Sequence, residues 1–223
     1  VRTSPGFSEG YTALAEGGWI GVAANPKYGG MGLPLTIQTC VNEMVNGACL
    51  SLSLNPLMSQ GQIDALEHHA NDQIKSLYLP KLISGEWSGT MNLTEPQAGS
   101  DVGSLTSKAI NTGDGCYSIT GQKIYISWGD NDFTENVCHL VLARLPDSLL
   151  GTKGISLFLV PKFLPNYDGT LGRQNNLKVV SLEHKVGLHG SPTAVMDYDK
   201  AKGWLIGEEN QGMKASHQKI ENH

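Results

Sequence analysis

The sequence has few cysteines, little excess charge and no long apolar run. A net charge of −5, with only 16 scattered Lys and Arg residues, leaves no basic patch for nucleic acid. No stretch approaches the roughly eighteen apolar residues of a membrane-spanning helix, and the first residues lack the organisation of a signal peptide. The cysteines have no paired spacing that would suggest zinc or a redox pair: Cys40, Cys49, Cys116 and Cys138. We therefore expect a cytoplasmic protein without nucleic-acid binding, membrane insertion or a metal site.

The first part of the chain has the spacing of amphipathic helices. With 223 residues and 39% hydrophobic content, the chain can form one large or two smaller domains. Apolar residues recur at intervals of three and four over residues 8–17, 34–49 and 56–70. Pro34 and Pro56 are placed like first-turn prolines of the second and third helices. These three segments are predicted to be helical.

The pattern then changes from helix to strand. Residues 72–86 continue the helical spacing, but Pro80 lacks an amide proton and predicts two short helices there. From Tyr117 onward the chain contains β-rich runs, "YSIT", "KIYIS", "VCHLVLARL" and "GISLFLV", separated by turn residues. These runs predict a small antiparallel β-domain, and "GISLFLV" a buried strand within it. The predicted class is α+β, with a helical N-terminal half followed by a small antiparallel β-domain.

The last residues are polar. After Gly212, Met213 and Ile220 are the only large apolar side chains. A segment with so little apolar surface is predicted to make a poor autonomous helix.

The stretch "TEPQAGSD", residues 94–101, lies between the two halves and concentrates polar groups. Thr94 and Ser100 supply hydroxyls, and the small Ala98 and Gly99 allow a ligand to approach the backbone closely. Such a turn suits an anion or the edge of a heterocycle. The alternative is a capped surface turn whose side chains satisfy local amides.

Five ordered blocks identify a resemblance to the acyl-CoA dehydrogenase family. They are "MNLTEPQAGSDVGSL", "YSITGQKIYISWG", "GISLFLVPKFLPN", "EHKVGLHGSPTAVMDY" and "LIGEENQGM", and "PKYGGMGLP" and "YLPKLISGEW" in the helical half agree with them. The long third block resembles most the subgroup of larger bacterial members that includes 3-methylmercaptopropionyl-CoA dehydrogenases. The resemblance implies an all-helical N-terminal domain over residues 1–90, an antiparallel, barrel-like middle domain that forms a flavin platform over 91–207, and the start of a truncated C-terminal helical domain over 208–223.

The resemblance also implies FAD as cofactor and assigns residues to it. Met91 and Leu93 would place backbone against the isoalloxazine, and Thr94 would hydrogen-bond its polar edge. Gly99 and Ser100 would follow the cofactor towards its pyrophosphate, and Ser100 would border the path of an acyl-CoA thioester.

In the second block two residues depart from the family's usual pattern. Tyr125 stands where many members place a Trp against the flavin face, and Ser127 replaces the more common Thr that reaches flavin N5. Tyr still supplies a flat aromatic surface and Ser a hydroxyl, although Ser fixes its rotamer less firmly. No position matches the family's catalytic Glu, which belongs to the C-terminal helical domain, so no catalytic residue is assigned.

Other polar clusters have a structural and a functional interpretation. Glu95 and Asp101 could form an acid/base pair, but support of the loop is favoured because sequence spacing does not set carboxylate separation. His68 and His69 are adjacent and diverge by about a hundred degrees on a helix, so a solvated helix end is favoured over a metal site.

Two glycine-containing segments also have a structural and a functional interpretation. The segment "EHKVGLHGSPT", with His184 and His189, fits a glycine-set turn better than a gate or a CoA contact. Gly29, Gly30 and Gly32 fit a tight turn better than a phosphate cradle, because no Gly-Lys-Ser/Thr follows them.

The leading functional hypothesis is an FAD-dependent acyl-CoA dehydrogenase of fatty-acid β-oxidation, homo-oligomeric at full length and passing electrons to an acceptor such as electron-transfer flavoprotein. The chain alone is expected to be inactive, because it holds no base. An acyl-CoA oxidase, a catalytically incompetent FAD- or CoA-binding fragment, and a protein-binding domain without flavin are the alternatives.

Overall fold

The computed structural model describes residues 1–217. Four α-helices occur in this range: α1 Phe7–Glu16, α2 Leu35–His69, α3 Asp72–Ser84 and α4 Gly212–His217. The strands are β1 Trp87–Asn92, β2 Lys108–Asn111, β3 Tyr117–Ser127, β4 Asn136–Arg144, β5 Ile155–Pro161, β6 Phe163–Pro165, β7 Leu171–Gln174, β8 Leu177–Leu182 and β9 Thr193–Ile206. The predicted order, a helical region followed by a mostly antiparallel sheet, is confirmed.

The two helices predicted over residues 34–49 and 56–70 are joined in α2. The helix bends at Cys49, whose backbone is extended (φ −158°, ψ 90°), and helical structure resumes directly after it. Pro34 is the N-cap of α2, and Pro56 lies inside the second segment rather than in its first turn. The predicted break is therefore present, but it lies at a different residue and is a bend.

Pro80 does not divide α3, so the prediction of two short helices is wrong. The proline lies on the exposed face of the helix, where water can solvate the carbonyl that loses its amide partner. Tyr78 and Leu82 are buried on the opposite face and anchor the helix on both sides of the proline. The Asn71 side chain caps the N-terminus, and Gly85, in the left-handed region at φ 80°, ends the helix.

The large sheet closes into a ring, as the barrel-like prediction requires. Strand β4 pairs with β2 and β5, β2 with β3, and both β3 and β5 with β9. The sheet is not entirely antiparallel, because β1 and β2 run parallel to β4. The predicted strands "YSIT" and "KIYIS" are one continuous strand, β3, with two irregularities in its pairing to β9.

Two apolar cores share the strands of this ring. On β5, Phe158 and Val160 belong to one core, and Leu157 and Leu159 to a second core that also contains residues of α2, α3 and β1. Alternate side chains of a strand point to opposite faces, so β5 is buried on both. The prediction that "GISLFLV" is a buried strand is confirmed.

Near its end, the described chain forms α4, which packs on β5 despite its polar composition. Met213 contributes to the second core, whereas Ile220 lies outside the described residues. All four cysteines are free. Among residues 1–217, every helix is too short or too polar to cross a membrane.

Candidate functional site

The two motifs assigned to flavin meet where β1 ends. The Thr90 hydroxyl donates to the backbone carbonyl of Ser127 at 3.1 Å, and the Ile124 amide donates to the carbonyl of Thr94 at 2.9 Å. The end of β3 therefore runs beside residues 90–94. Five of the sequence-predicted cofactor residues are brought together by this arrangement: Met91, Leu93, Thr94, Tyr125 and Ser127.

Tyr125 presents its ring at the surface because β3 is irregular at this point. The pairing of β3 with β9 shifts register between Lys123 and Ile126, and Tyr125 adopts a left-handed backbone at φ 59°. This conformation is uncommon for a residue with a side chain and frequently marks a functional position. The ring remains 62% exposed and offers a flat aromatic surface.

Thr94 and Ser127 supply two hydroxyls on the same two segments. Both side chains are half-buried, and neither hydroxyl makes a hydrogen bond to another group in the described part of the chain. Gly99 lies next to Thr94, since a Cβ added at Gly99 would meet only the Thr94 methyl, at 4.0 Å. Ser100 follows and is exposed. An exposed ring, two free hydroxyls and open backbone suit a flat heterocycle with a polar edge, so these residues fit a flavin.

Glu95 holds the "TEPQAGSD" turn in place from inside the protein. Its carboxylate accepts hydrogen bonds from the backbone amides of Thr106 and Ser107 at 2.7 and 3.1 Å, and from both of their hydroxyls. Lys123 donates to the same carboxylate at 2.8 Å and to the Leu93 carbonyl at 3.0 Å. The backbone of Glu95 also pairs with Ala98 across the turn.

The surroundings of Glu95 favour its charged form. Burial alone would raise the pKa of Glu95, but the Lys123 ammonium and the hydrogen bonds from Ser107 and Thr106 outweigh it and lower the pKa to about 2. Burial lowers the pKa of Lys123, and the carboxylate opposes that shift. A buried carboxylate committed to this many donors is unsuited to proton transfer. The geometry therefore favours the loop-support interpretation over an acid/base pair with Asp101, which accepts from Ser104 at 2.5 Å.

Two residues that support the site were not assigned from the sequence. Lys123 stands out only as a lysine inside an otherwise β-prone run, and its complete burial becomes evident with the fold. Arg144 donates to the backbone carbonyls of Leu105, Leu149 and Gly151 at 3.0, 2.8 and 2.8 Å, and to that of Gly103. It thereby fastens the loop after "TEPQAGSD" to the β4–β5 connection, and no sequence signal indicates this contact.

The two histidine pairs lie in different parts of the fold. His68 contacts Asp64 on α2, and the described residues contain no group of three or more side chains able to hold a metal. The rings of His184 and His189 meet edge to face at 5.9 Å in a loop closed by Lys185, which donates to the Ser191 carbonyl.

The glycine-rich segment after α1 is a tight turn. A Cβ on Gly30 would lie 2.0 Å from the carbonyl oxygen of Ala24, so close backbone contact requires glycine there. A groove of about 370 Å³ lies along α2 beside α4 and shares no residue with the candidate flavin site.

Comparisons with known proteins agree with the fold and the motifs. Residues 3–86 match the N-terminal domain of acyl-CoA dehydrogenases, and residues 90–201 match their middle domain. Together these two matches cover most of the chain. The chain therefore belongs to the acyl-CoA dehydrogenase family.

Individual relatives extend the comparison. A 3-methylmercaptopropionyl-CoA dehydrogenase of Ruegeria pomeroyi is 49% identical over 94% of this chain, which spans 36% of that relative's length. The structure of an acyl-CoA dehydrogenase from Geobacillus kaustophilus superposes with a TM-score of 0.80 at 25% identity, over 95% of this chain and 53% of that one. An acyl-CoA dehydrogenase from Bacillus anthracis, complexed with FAD, has the same fold, with a TM-score of 0.78 at 22% identity over 94% of this chain and 33% of that one.

Proposed function

We propose that this chain forms the FAD-binding platform of an acyl-CoA dehydrogenase, which oxidises the α,β carbon–carbon bond of an acyl-CoA thioester. The observation that carries the proposal is that the exposed Tyr125 ring and the unengaged hydroxyls of Thr94 and Ser127 lie on two segments that hydrogen bonds hold side by side. When bound, FAD supplies the hydride acceptor at its N5 position. Family membership and the FAD complex of a protein with the same fold support this cofactor.

In this scheme, the residues of the chain bind and orient the cofactor. Thr94 would donate to the polar edge of the ring system, Ser127 would offer a hydroxyl towards N5, and Tyr125 would cover one face. Met91 and Leu93 would place their backbone against the ring system. Gly99 and Ser100 lie where the chain leaves this surface, in position to follow the cofactor, and Ser100 would border the thioester.

The proposal assigns no catalytic base to the described residues. The base of an acyl-CoA dehydrogenase must reach the α-proton of the thioester, and Glu95, a buried carboxylate beside the platform, is held by Lys123 as an ion pair. We further propose acyl-CoA as substrate, an acceptor such as electron-transfer flavoprotein, homo-oligomeric assembly and a cytoplasmic location in fatty-acid β-oxidation. An oxidase would instead turn over in air without an added acceptor, and a binding-only module would retain FAD without turnover.

A fluorescence titration tests the platform directly. FAD titrated with the purified chain should show saturable quenching, because stacking on Tyr125 quenches flavin emission. FMN should bind more weakly, because it lacks the pyrophosphate that Gly99 and Ser100 would follow. Thr94→Ala should weaken FAD binding about fivefold to tenfold through loss of one hydrogen bond, whereas Thr94→Ser should retain most of the affinity. Tyr125→Ala should reduce the quenching at saturation. Equal affinity of Thr94→Ala and the unaltered chain would remove Thr94 from the site.

A further inference from the structure

A buried network of hydrogen-bonded polar side chains lies behind the platform. The Tyr198 hydroxyl on β9 donates to Asn92 Oδ1 at 2.9 Å, and Asn92 Nδ2 lies 3.4 Å from Nδ1 of His139 on β4. The rings of His139 and Tyr198 meet edge to face at 6.1 Å. All three side chains are at most 1% exposed, inside the ring of strands. None of them was assigned to the cofactor from the sequence.

The contacts define how each group is oriented. Because the Tyr198 hydroxyl donates to Asn92 Oδ1, the amide nitrogen of Asn92 is directed towards His139. Nδ1 of His139 must then accept, which places the ring proton on Nε2. Burial lowers the pKa of His139 to about 3, so the ring is neutral and compatible with this arrangement. Nε2 has no hydrogen-bond partner within the described residues.

The position of Asn92 connects this polar network to the candidate flavin site. Asn92 is the last residue of β1, and its neighbours Met91 and Leu93 pack on the opposite side, against the core shared with the helices. Since side chains alternate along a strand, fixing Asn92 inside the ring fixes the rotation of the strand at its end. Lys123 holds the next carbonyl, that of Leu93, and Thr94 follows.

We propose that Tyr198, Asn92 and His139 are positioning residues that set the end of β1, and with it the Thr94 groups that would meet the flavin edge. Burial of a polar network costs folding free energy unless each member has a hydrogen-bond partner. A network whose members are paired specifies one arrangement of the elements that it joins. The three residues touch neither cofactor nor substrate and act through Leu93 and Thr94. The inference rests on the proposed function for its link to FAD, but the positioning of β1 can be tested without FAD.

Tyr198→Phe removes one hydroxyl from this polar network and keeps the aromatic ring of the side chain. Tyr11→Phe is a matched control, since the Tyr11 hydroxyl is also buried and donates to a single backbone carbonyl, that of Gly85, at 3.0 Å. Hydrogen exchange of a peptide covering residues 90–96 should be at least severalfold faster in Tyr198→Phe and unchanged in Tyr11→Phe. FAD binding should weaken about fivefold in Tyr198→Phe alone, with a shift of the bound flavin's visible absorption band.

The outcomes separate this inference from the function on which it rests. Unchanged exchange at residues 90–96 in a folded Tyr198→Phe protein overturns the positioning role, whatever happens to FAD. Faster exchange with unaltered FAD affinity and spectrum overturns the link to the flavin. If the unaltered chain binds no FAD, the proposed platform fails, and the exchange experiment alone then decides whether the three residues position β1.

Discussion

At the scale of single residues, the buried pair of Glu95 and Lys123 is the strongest constraint on the candidate site. Removal of one partner of such a pair leaves an uncompensated charge in the interior, which typically costs about 3–5 kcal/mol. Glu95 is held by Thr106 and Ser107, and Lys123 also holds the Leu93 carbonyl. The pair therefore supports both the turn that bears Gly99 and the strand end that bears Thr94.

Glu95→Gln should lower the free energy of unfolding at pH 7 by about 3 kcal/mol, measured by urea denaturation. The pH dependence should change as well. The folded pKa of about 2 lies below the ordinary value of 4.5, so the stabilisation is complete above about pH 4.5 and is lost as the pH falls towards 2. A shift of this size corresponds to about 3 kcal/mol. In Glu95→Gln this part of the acid destabilisation should disappear.

The control for this experiment is Glu43→Gln, which alters an exposed carboxylate on α2. It should leave both the stability at pH 7 and the acid profile nearly unchanged, because exposed charges contribute little. If Glu95→Gln behaves like Glu43→Gln, the pair does not stabilise the turn and the assigned pKa of Glu95 is wrong.

At the scale of elements, periodicity predicted where helices and strands occur better than where they end. Pro80 was expected to break a helix, but α3 accommodates it because the proline faces water while Tyr78 and Leu82 face the core. Local sequence does not reveal which face will be covered. Likewise, the motif identified Tyr125, but its exposed ring depends on the irregular pairing of β3 with β9, and the partners of Lys123 come from distant segments.

The contact of α2 with β1 gives an element-scale prediction. A Cβ added at Gly89 in β1 would lie 2.2 Å from Gln62 Oε1, and Gln62 itself donates to the Cys138 carbonyl at 2.9 Å. Gly89 also receives support from α2, since its amide donates to the Ser59 hydroxyl at 2.9 Å. Gly89→Ala should therefore force the helix and strand apart and destabilise the protein by about 1–3 kcal/mol in urea denaturation.

Gly47→Ala is the opposing control, because Gly47 is an exposed helical glycine with open space around its Cβ position. Alanine there should stabilise the protein by about 0.5–1 kcal/mol, through the lower cost of ordering alanine in a helix. Stabilisation of the same sign by both substitutions would contradict close packing of α2 on β1.

At the scale of the whole molecule, the helices share the second apolar core with one face of the sheet. Trp128, the residue directly after β3, is fully buried and donates to the Ser51 carbonyl on α2 at 3.1 Å. Its ring lies 6.0 Å from that of Phe7 on α1 and 5.4 Å from that of Phe133. The site is thus attached to the helical half through the residue next to Ser127. Loss of either half should disturb the platform.

This shared core predicts a single cooperative unfolding transition. Far-UV circular dichroism, which follows the helices, and tryptophan fluorescence should give coincident urea curves. Trp128→Ala should lower the free energy of unfolding obtained from both curves by about 3–5 kcal/mol, because it removes a large side chain from the junction. Trp19→Phe is the control, since Trp19 is 44% exposed and should change stability little. Separate transitions in the unaltered chain would show that the helices and the sheet fold independently, and the platform would then not depend on the helical half.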